Sequence, residues 1–205
     1  MKLFSPDGKL YRAMVKLTDA VKINFMWLLF SLPIVTLGAS TIAAFTVAMR
    51  FVEDEEGHVA HDFVKAFKAN IKQGIPMSFI NLLCIWVVYM DFQIMDIAEN
   101  NSVVYLVIGV IAVYIFTFSL LYTYPLLARY ENKLFRTIQN SFRISMRYFL
   151  RSVGLVLVVA FEIALFIWNT QTLVLGVFFG PIIVISTISW AANRIFEDVE
   201  KKNAE

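Results

Sequence analysis

From Val103 to Ala128 not one residue carries a charge, and the same holds from Thr172 to Ala192. Roughly 20 apolar residues in helical form match a hydrocarbon layer about 30 Å thick. In that solvent every backbone N–H and C=O must be satisfied within its own segment or a closed barrel, so runs this long specify helices. Two further segments qualify: Ile75–Met90, interrupted only by Ser78 and Asn81, and Ser152–Trp168, uncharged except for Glu162. With 59% hydrophobic and 17% charged residues, the composition excludes an ordinary soluble domain. The expected fold is all-α: a polytopic transmembrane helical bundle forming a single integral membrane domain over residues 1–205.

Ile23–Met49 is also free of charge, but it contains Leu32-Pro33-Ile34-Val35-Thr36 followed by Gly38-Ala39-Ser40. As one helix it would be about 40 Å long, long for one span and short for two. The basic residues decide between the readings. Lys2, Lys9, Arg12, Lys16 and Lys22 precede the run, and Arg50, Lys65, Lys68 and Lys72 follow it. The positive-inside rule puts both groups in the cytoplasm, so the run should go out and come back. Pro33 disfavours helix at Leu32, Thr36 or Ser40 can cap a restarting helix, and Gly38 permits a tight path. These four residues form the expected structural turn. Six spans follow, at about 17–32, 37–52, 75–97, 103–128, 151–168 and 172–192; the alternative, one kinked helix over Ile23–Met49, gives five. Arg129, Lys133, Arg136, Arg143, Arg147 and Arg151 mark a second cytoplasmic connection, and Arg194, Lys201 and Lys202 bring the carboxyl terminus to the same side. The links around Asp91, Asp96 and Glu99, and at Asn169-Thr170-Gln171, fit the outer side, with Asp91 and Asp96 ending a helix at the rim. No small-residue cleavage pattern closes the first apolar run, so the amino terminus is expected to be retained.

The two basic connections resemble each other. Phe67-Lys68-Ala69-Asn70-Ile71-Lys72 matches Phe142-Arg143-Ile144-Ser145-Met146-Arg147 in character, which suggests a two-fold parallel repeat. Each is expected to be an amphipathic cytoplasmic linker. Phe63, Phe67 and Ile71 recur every four residues opposite Lys65, Lys68 and Lys72, and Leu134, Ile138, Phe142 and Met146 lie opposite Arg136, Arg143 and Arg147. Such helices lie in the headgroup layer or dock on a protein partner.

Few side chains suggest chemistry. Glu162 falls near mid-membrane, where an ionisable group is costly unless it faces the bundle. It is either a substrate or proton site, with Asn81 and Asn24 as candidate companions, or a structural hydrogen-bonding group of the kind that ties helices together. His58 and His61 lie beside acidic residues, but Gly57 weakens a rigid site and no second ligand cluster exists, so no metal is expected. Cys84, the sole cysteine, is expected to be a small buried hydrophobe. No nucleotide fingerprint, nucleophile elbow or zinc-protease pattern is present, so neither an enzymatic role nor a cofactor is expected.

Asp7-Gly8, Leu10-Tyr11-Arg12, Asn24, Trp27, Leu32-Pro33-Ile34-Val35-Thr36, Gly38-Ala39-Ser40, Glu56-Gly57, Phe63, Phe67-Lys68, Asn70 and Lys72-Gln73 together resemble the YesL-like family of bacterial membrane proteins, a family of unknown function. The resemblance implies an accessory role in carbohydrate import alongside an ABC-type permease, in a bacterial inner membrane with both termini cytoplasmic. It carries over no catalytic residue. The chain lacks the Glu-Ala-Ala loop by which importer permeases engage their ATPases, which argues that it is not itself the permease. Expected partners are membrane lipid and such a permease, with homo-oligomerisation open and nucleic acid excluded. The rival is a stand-alone small-solute transporter or channel using Glu162.

Overall fold

Pro33 interrupts the first apolar run. The computed structural model describes residues 9–52, 58–97 and 102–204. Helix α1 (Lys9–Ser31) ends just before the proline, a 3-10 turn covers Ile34–Thr36, and α2 (Leu37–Val52) starts directly after it. Pro33 is extended, at φ −75° and ψ 114°, and the proline ring drives the preceding residue out of helical geometry. The Thr36 hydroxyl donates to the Phe30 carbonyl at 2.7 Å, satisfying one of the acceptors orphaned at the end of α1. Trp27 Nε1 donates to Thr41 Oγ1 at 3.1 Å, and the Ser31 and Ser40 hydroxyls meet at 2.5 Å. Farther along, the Lys16 ammonium lies 5.7 Å from the centre of the Phe51 ring. The first half of α1 therefore sits beside the end of α2, and the segment is a hairpin.

Beyond it come α3 (Val59–Ile97), α4 (Ser102–Leu120), α5 (Thr123–Arg129), α6 (Leu134–Arg147), α7 (Phe149–Ile167) and α8 (Thr170–Ala204). No strand occurs among the described residues. Among the described residues, five segments are long and apolar enough to cross a membrane: Ile34–Phe51, Val59–Ile94, Val103–Arg129, Phe149–Ile167 and Thr170–Lys202. The first expected span, at about 17–32, falls on α1, the first arm of the hairpin, which is not among them. Lys16, Asp19 and Lys22 occupy the middle of α1, leaving an uncharged stretch from Ile23 to Ser31 of about 13 Å, too short to span alone. Helix α3 runs through Asp91 and Asp96 to Ile97, where the third span was expected to end, so both residues fall in its last two turns. Residues 1–8, 53–57, 98–101 and 205 lie outside the described residues. So do Lys2, the Asp7-Gly8 and Glu56-Gly57 pairs and Glu99.

Helices α2 and α3 touch backbone to backbone. A Cβ on Gly74 would stand 2.3 Å from the Ala39 Cα, and one on Gly38 would stand 2.2 Å from the Gly74 carbonyl oxygen. Only glycine fits there, and the close approach lets the Gly38 N–H, a free donor at the start of α2, reach Ser78 Oγ at 2.7 Å. Around this contact Ile23, Ala43, Phe45, Val47, Phe63 and Ile182 form one apolar core. A second, containing Met49, Tyr122, Leu155, Ile195 and Phe196, joins α2, α7 and α8.

The first expected linker is not a separate helix but the opening of α3. Phe63 is fully buried in the core, and Phe67 packs edge-on against Phe30 with ring centres 4.7 Å apart. Only Lys65, Lys68 and Lys72 of that set remain exposed, so Phe63 is core rather than a contact surface. The physical reason is that α1 supplies Phe30 where a membrane or partner was expected. The second linker is a helix of its own, separated from α7 at Tyr148. The two matched segments thus both form helix, the first continuous with the span that follows and the second broken from it.

Candidate functional site

Pro125 shapes the centre of the bundle. A proline has no N–H, and its ring crowds the carbonyl four residues earlier, here Leu121. The apolar run breaks at Leu121–Tyr122, between α4 and α5. In an unbroken helix the Tyr122 N–H would bond the Phe118 carbonyl. Instead, Ser141 Oγ accepts from the Tyr122 N–H at 3.1 Å, and Ser145 Oγ donates to the Phe118 carbonyl at 2.7 Å. Two serines one turn apart on α6 thus replace the lost bond. Ser152 Oγ, 3.1 Å from Tyr122 Oη, ties the start of α7 to the same point. Thr137, Ser141 and Ser145 are buried, whereas Phe142, Arg136, Arg143 and Arg147 are exposed. The face of α6 that docks is its hydroxyl stripe.

Glu162, Asn81 and Asn24 each engage a different neighbour. Thr187 Oγ1 donates to Glu162 Oε1 at 2.7 Å, joining α7 to α8. The Asn81 amide donates to Tyr124 Oη, joining α3 to α5. Asn24 is buried, and its Nδ2 lies 2.6 Å from the Phe178 carbonyl and 3.4 Å from that of Val177. Pro181 lies inside α8, and Val177, four residues before it, has the carbonyl that a proline leaves without a donor. Asn24 thus reaches from α1 to the opened turn of α8. Four side-chain polar atoms remain buried without a partner among the described residues, and two of them belong to this set, Glu162 Oε2 and Asn24 Oδ1; the others are Tyr148 Oη and Ser189 Oγ. The three side chains are not brought together.

A cavity of about 610 Å³ lies between α1, α2, α4, α5, α7 and α8, and its wall is almost wholly apolar. Tyr124, Gly176 and Gly180 line it, and Glu162 does not. A polar cavity of about 670 Å³ sits between the two basic connections, lined by Arg50, Lys65, Asn70, Arg129 and Lys133 among others. Ion pairs close this end of the molecule: Arg151 with Asp198 at 2.6 Å, Arg129 with Glu200 at 3.4 Å and Arg50 with Asp62 at 4.0 Å. Tyr130 also donates to Glu200, and burial together with that bond pushes its phenol up to about 12. His58 and His61 join no cluster of three metal-ligating side chains among the described residues.

With this geometry in view, comparison with known families gives one match. A family model described as a protein of unknown function, DUF624, matches residues 20–92. The match takes in the second half of α1, the Pro33 turn, α2 and most of α3. It contains Asn24, Gly38, Gly74 and Asn81 and stops short of α4. No curated protein and no solved structure matches the chain.

Sequence reasoning placed Asn24, Asn81 and Glu162 as polar groups within the bundle but missed Ser141, Ser145, Ser152 and Thr187. A signal for the first pair exists: Thr137, Ser141 and Ser145 recur every four residues, a stripe of one helix face that is small and hydrogen-bonding rather than apolar.

Proposed function

We propose that the chain is an accessory protein of a bacterial cell membrane, of the YesL-like family, that binds or helps assemble a carbohydrate-importing ABC permease rather than moving solute itself. One observation carries the reading. The polar groups of the bundle are spent on helix-to-helix hydrogen bonds at separate places, Asn24 to α8, Asn81 to α5 and Glu162 to α8. They do not line a shared path, as a conduit for a polar solute requires. The exposed cations Lys65, Lys68 and Lys72 on α3 and Arg136, Arg143 and Arg147 on α6 supply the face for the permease or for anionic lipid. Both chain ends lie in the cytoplasm in this reading. The resemblance in the first third of the chain supports the choice of partner.

Purification from native membranes in mild detergent tests it: a sugar-importer permease should accompany the protein, and substituting the six exposed cations with Gln should release it. The buried, unpartnered Glu162 Oε2 favours a second reading, a stand-alone transporter. Liposomes containing only this protein distinguish the two. A solute flux that is lost in Glu162→Gln would replace the accessory reading with the transporter one.

A further inference from the structure

Between α7 and α8 runs a groove of about 580 Å³ with mixed walls. Its lower part is bounded by Gly154, Leu155, Val158 and Ala191 and by Thr187, whose hydroxyl is already given to Glu162, so the wall there is mainly apolar. A Cβ built on Gly154 meets nothing within 4 Å, so the cleft is open at that point. Its mouth carries four charges, Arg151, Arg194, Glu197 and Asp198. Arg151 and Asp198 neutralise each other at 2.6 Å. Arg194 and Glu197 have no ion-pair partner among the described residues, and the Arg194 guanidinium is held 4.1 Å over the Trp190 ring. Tryptophan and arginine at the end of an apolar span are the residues that sit at headgroup level.

We propose that this groove holds one phospholipid whose headgroup is a zwitterion with a primary ammonium, as in phosphatidylethanolamine. The phosphate sits on Arg194, the ammonium on Glu197, and an acyl chain lies along Gly154 and Val158. Both free charges are matched by this headgroup and by no simpler one. Phosphatidylglycerol satisfies Arg194 but sets a second anion beside Glu197. Phosphatidylcholine has no N–H to donate to that carboxylate. Inorganic phosphate leaves the apolar cleft unfilled.

Native mass spectrometry of the full chain, delipidated in detergent and titrated in turn with phosphatidylethanolamine, phosphatidylglycerol, phosphatidylcholine and inorganic phosphate, reads the preference directly. Phosphatidylethanolamine should be retained best, with Arg194→Gln and Glu197→Gln each weakening it about tenfold. Gly154→Leu, which fills the cleft without altering charge, should weaken all three lipids. Glu197→Lys should transfer the preference to phosphatidylglycerol, a gain that misfolding cannot mimic. Equal or better retention of phosphatidylglycerol or phosphatidylcholine by the unaltered chain overturns the headgroup assignment. Retention of inorganic phosphate as firmly as lipid, or indifference to Gly154→Leu, overturns the lipid.

Discussion

At the scale of single residues, the bundle is held by polar side chains that repair what prolines and helix ends leave open. Asn24→Leu removes the donor from the turn that Pro181 opens in α8 and takes that hydrogen bond from the Val177 and Phe178 carbonyls. A hydrogen bond between membrane helices is worth about 1 kcal/mol, so the variant should unfold more readily by about that amount in a detergent titration. Asn24→Gln, which keeps a carboxamide on a longer arm, should recover part of it. Glu162 and Thr187 make a parallel case. If their bond is structural, Glu162→Gln keeps an acceptor for the Thr187 hydroxyl and should be nearly silent, while Thr187→Val should cost about 1 kcal/mol. A larger penalty belongs to Gly74. Its Cβ would overlap the Ala39 backbone, so Gly74→Val must push α2 from α3 and should destabilise by about 3 kcal/mol, read in the same titration.

At the scale of elements, α6 is the least expected part of the fold. Its Leu134, Ile138, Phe142 and Met146 stripe suggested a helix lying on a membrane, yet its anchor is the pair of serine bonds to the broken turn between α4 and α5. Ser141→Ala strands the buried Tyr122 N–H and Ser145→Ala strands the Phe118 carbonyl, each costing about 1–3 kcal/mol. Hydrogen exchange at Tyr122 should speed up markedly in Ser141→Ala, and unaltered exchange would show that another group serves that N–H. The hairpin at Pro33 was legible because charge, length and proline agreed. The spans were legible because lipid as solvent leaves little choice of backbone. The role of Phe63 was not, since a four-residue apolar period looks the same whether it faces lipid or Phe30 on another helix. The serine contacts were equally hidden: sequence shows that Pro125 opens a turn but not which helix supplies the missing partners. Where α5 meets α8, Tyr130 adds a pH-dependent tie. Its phenol, raised from 10.0 to about 12 by burial, stays neutral and bonded to Glu200 in the folded chain. That contribution is complete below about pH 10 and fades as pH climbs towards 12, so Tyr130→Phe should be the less stable protein below pH 10 by about 1 kcal/mol, with the gap closing as pH rises towards 12 in a pH series of unfolding titrations.

At the scale of the whole molecule, the long helices outrun the bilayer. Helix α3, at 39 residues, and α8, at 35, extend about 58 and 52 Å, against a hydrocarbon core of about 30 Å. Their surplus length points to one end of the molecule, the end where Lys16 meets Phe51, Arg50 meets Asp62 and Arg151 meets Asp198. Those contacts place the start of α1, the starts of α3 and α7 and the end of α8 together, whichever compartment they occupy. The density of cations there makes the cytoplasm the expected one. The Asn169–Thr172 cap, where Thr172 N–H donates to Asn169 Oδ1 at 2.9 Å, marks the opposite end between α7 and α8. On a Cys84→Ala background, an impermeant thiol reagent should label Asn169→Cys in intact cells and leave Lys16→Cys and Lys201→Cys untouched until the membrane is opened. Labelling of Lys16→Cys together with Asn169→Cys would contradict the hairpin itself, because no rigid placement of the bundle puts Lys16 beside Phe51 and yet on the far side from it. Labelling of Lys16→Cys and Lys201→Cys without Asn169→Cys would keep the fold but invert it in the membrane, and would remove the cytosolic permease face from the proposed function.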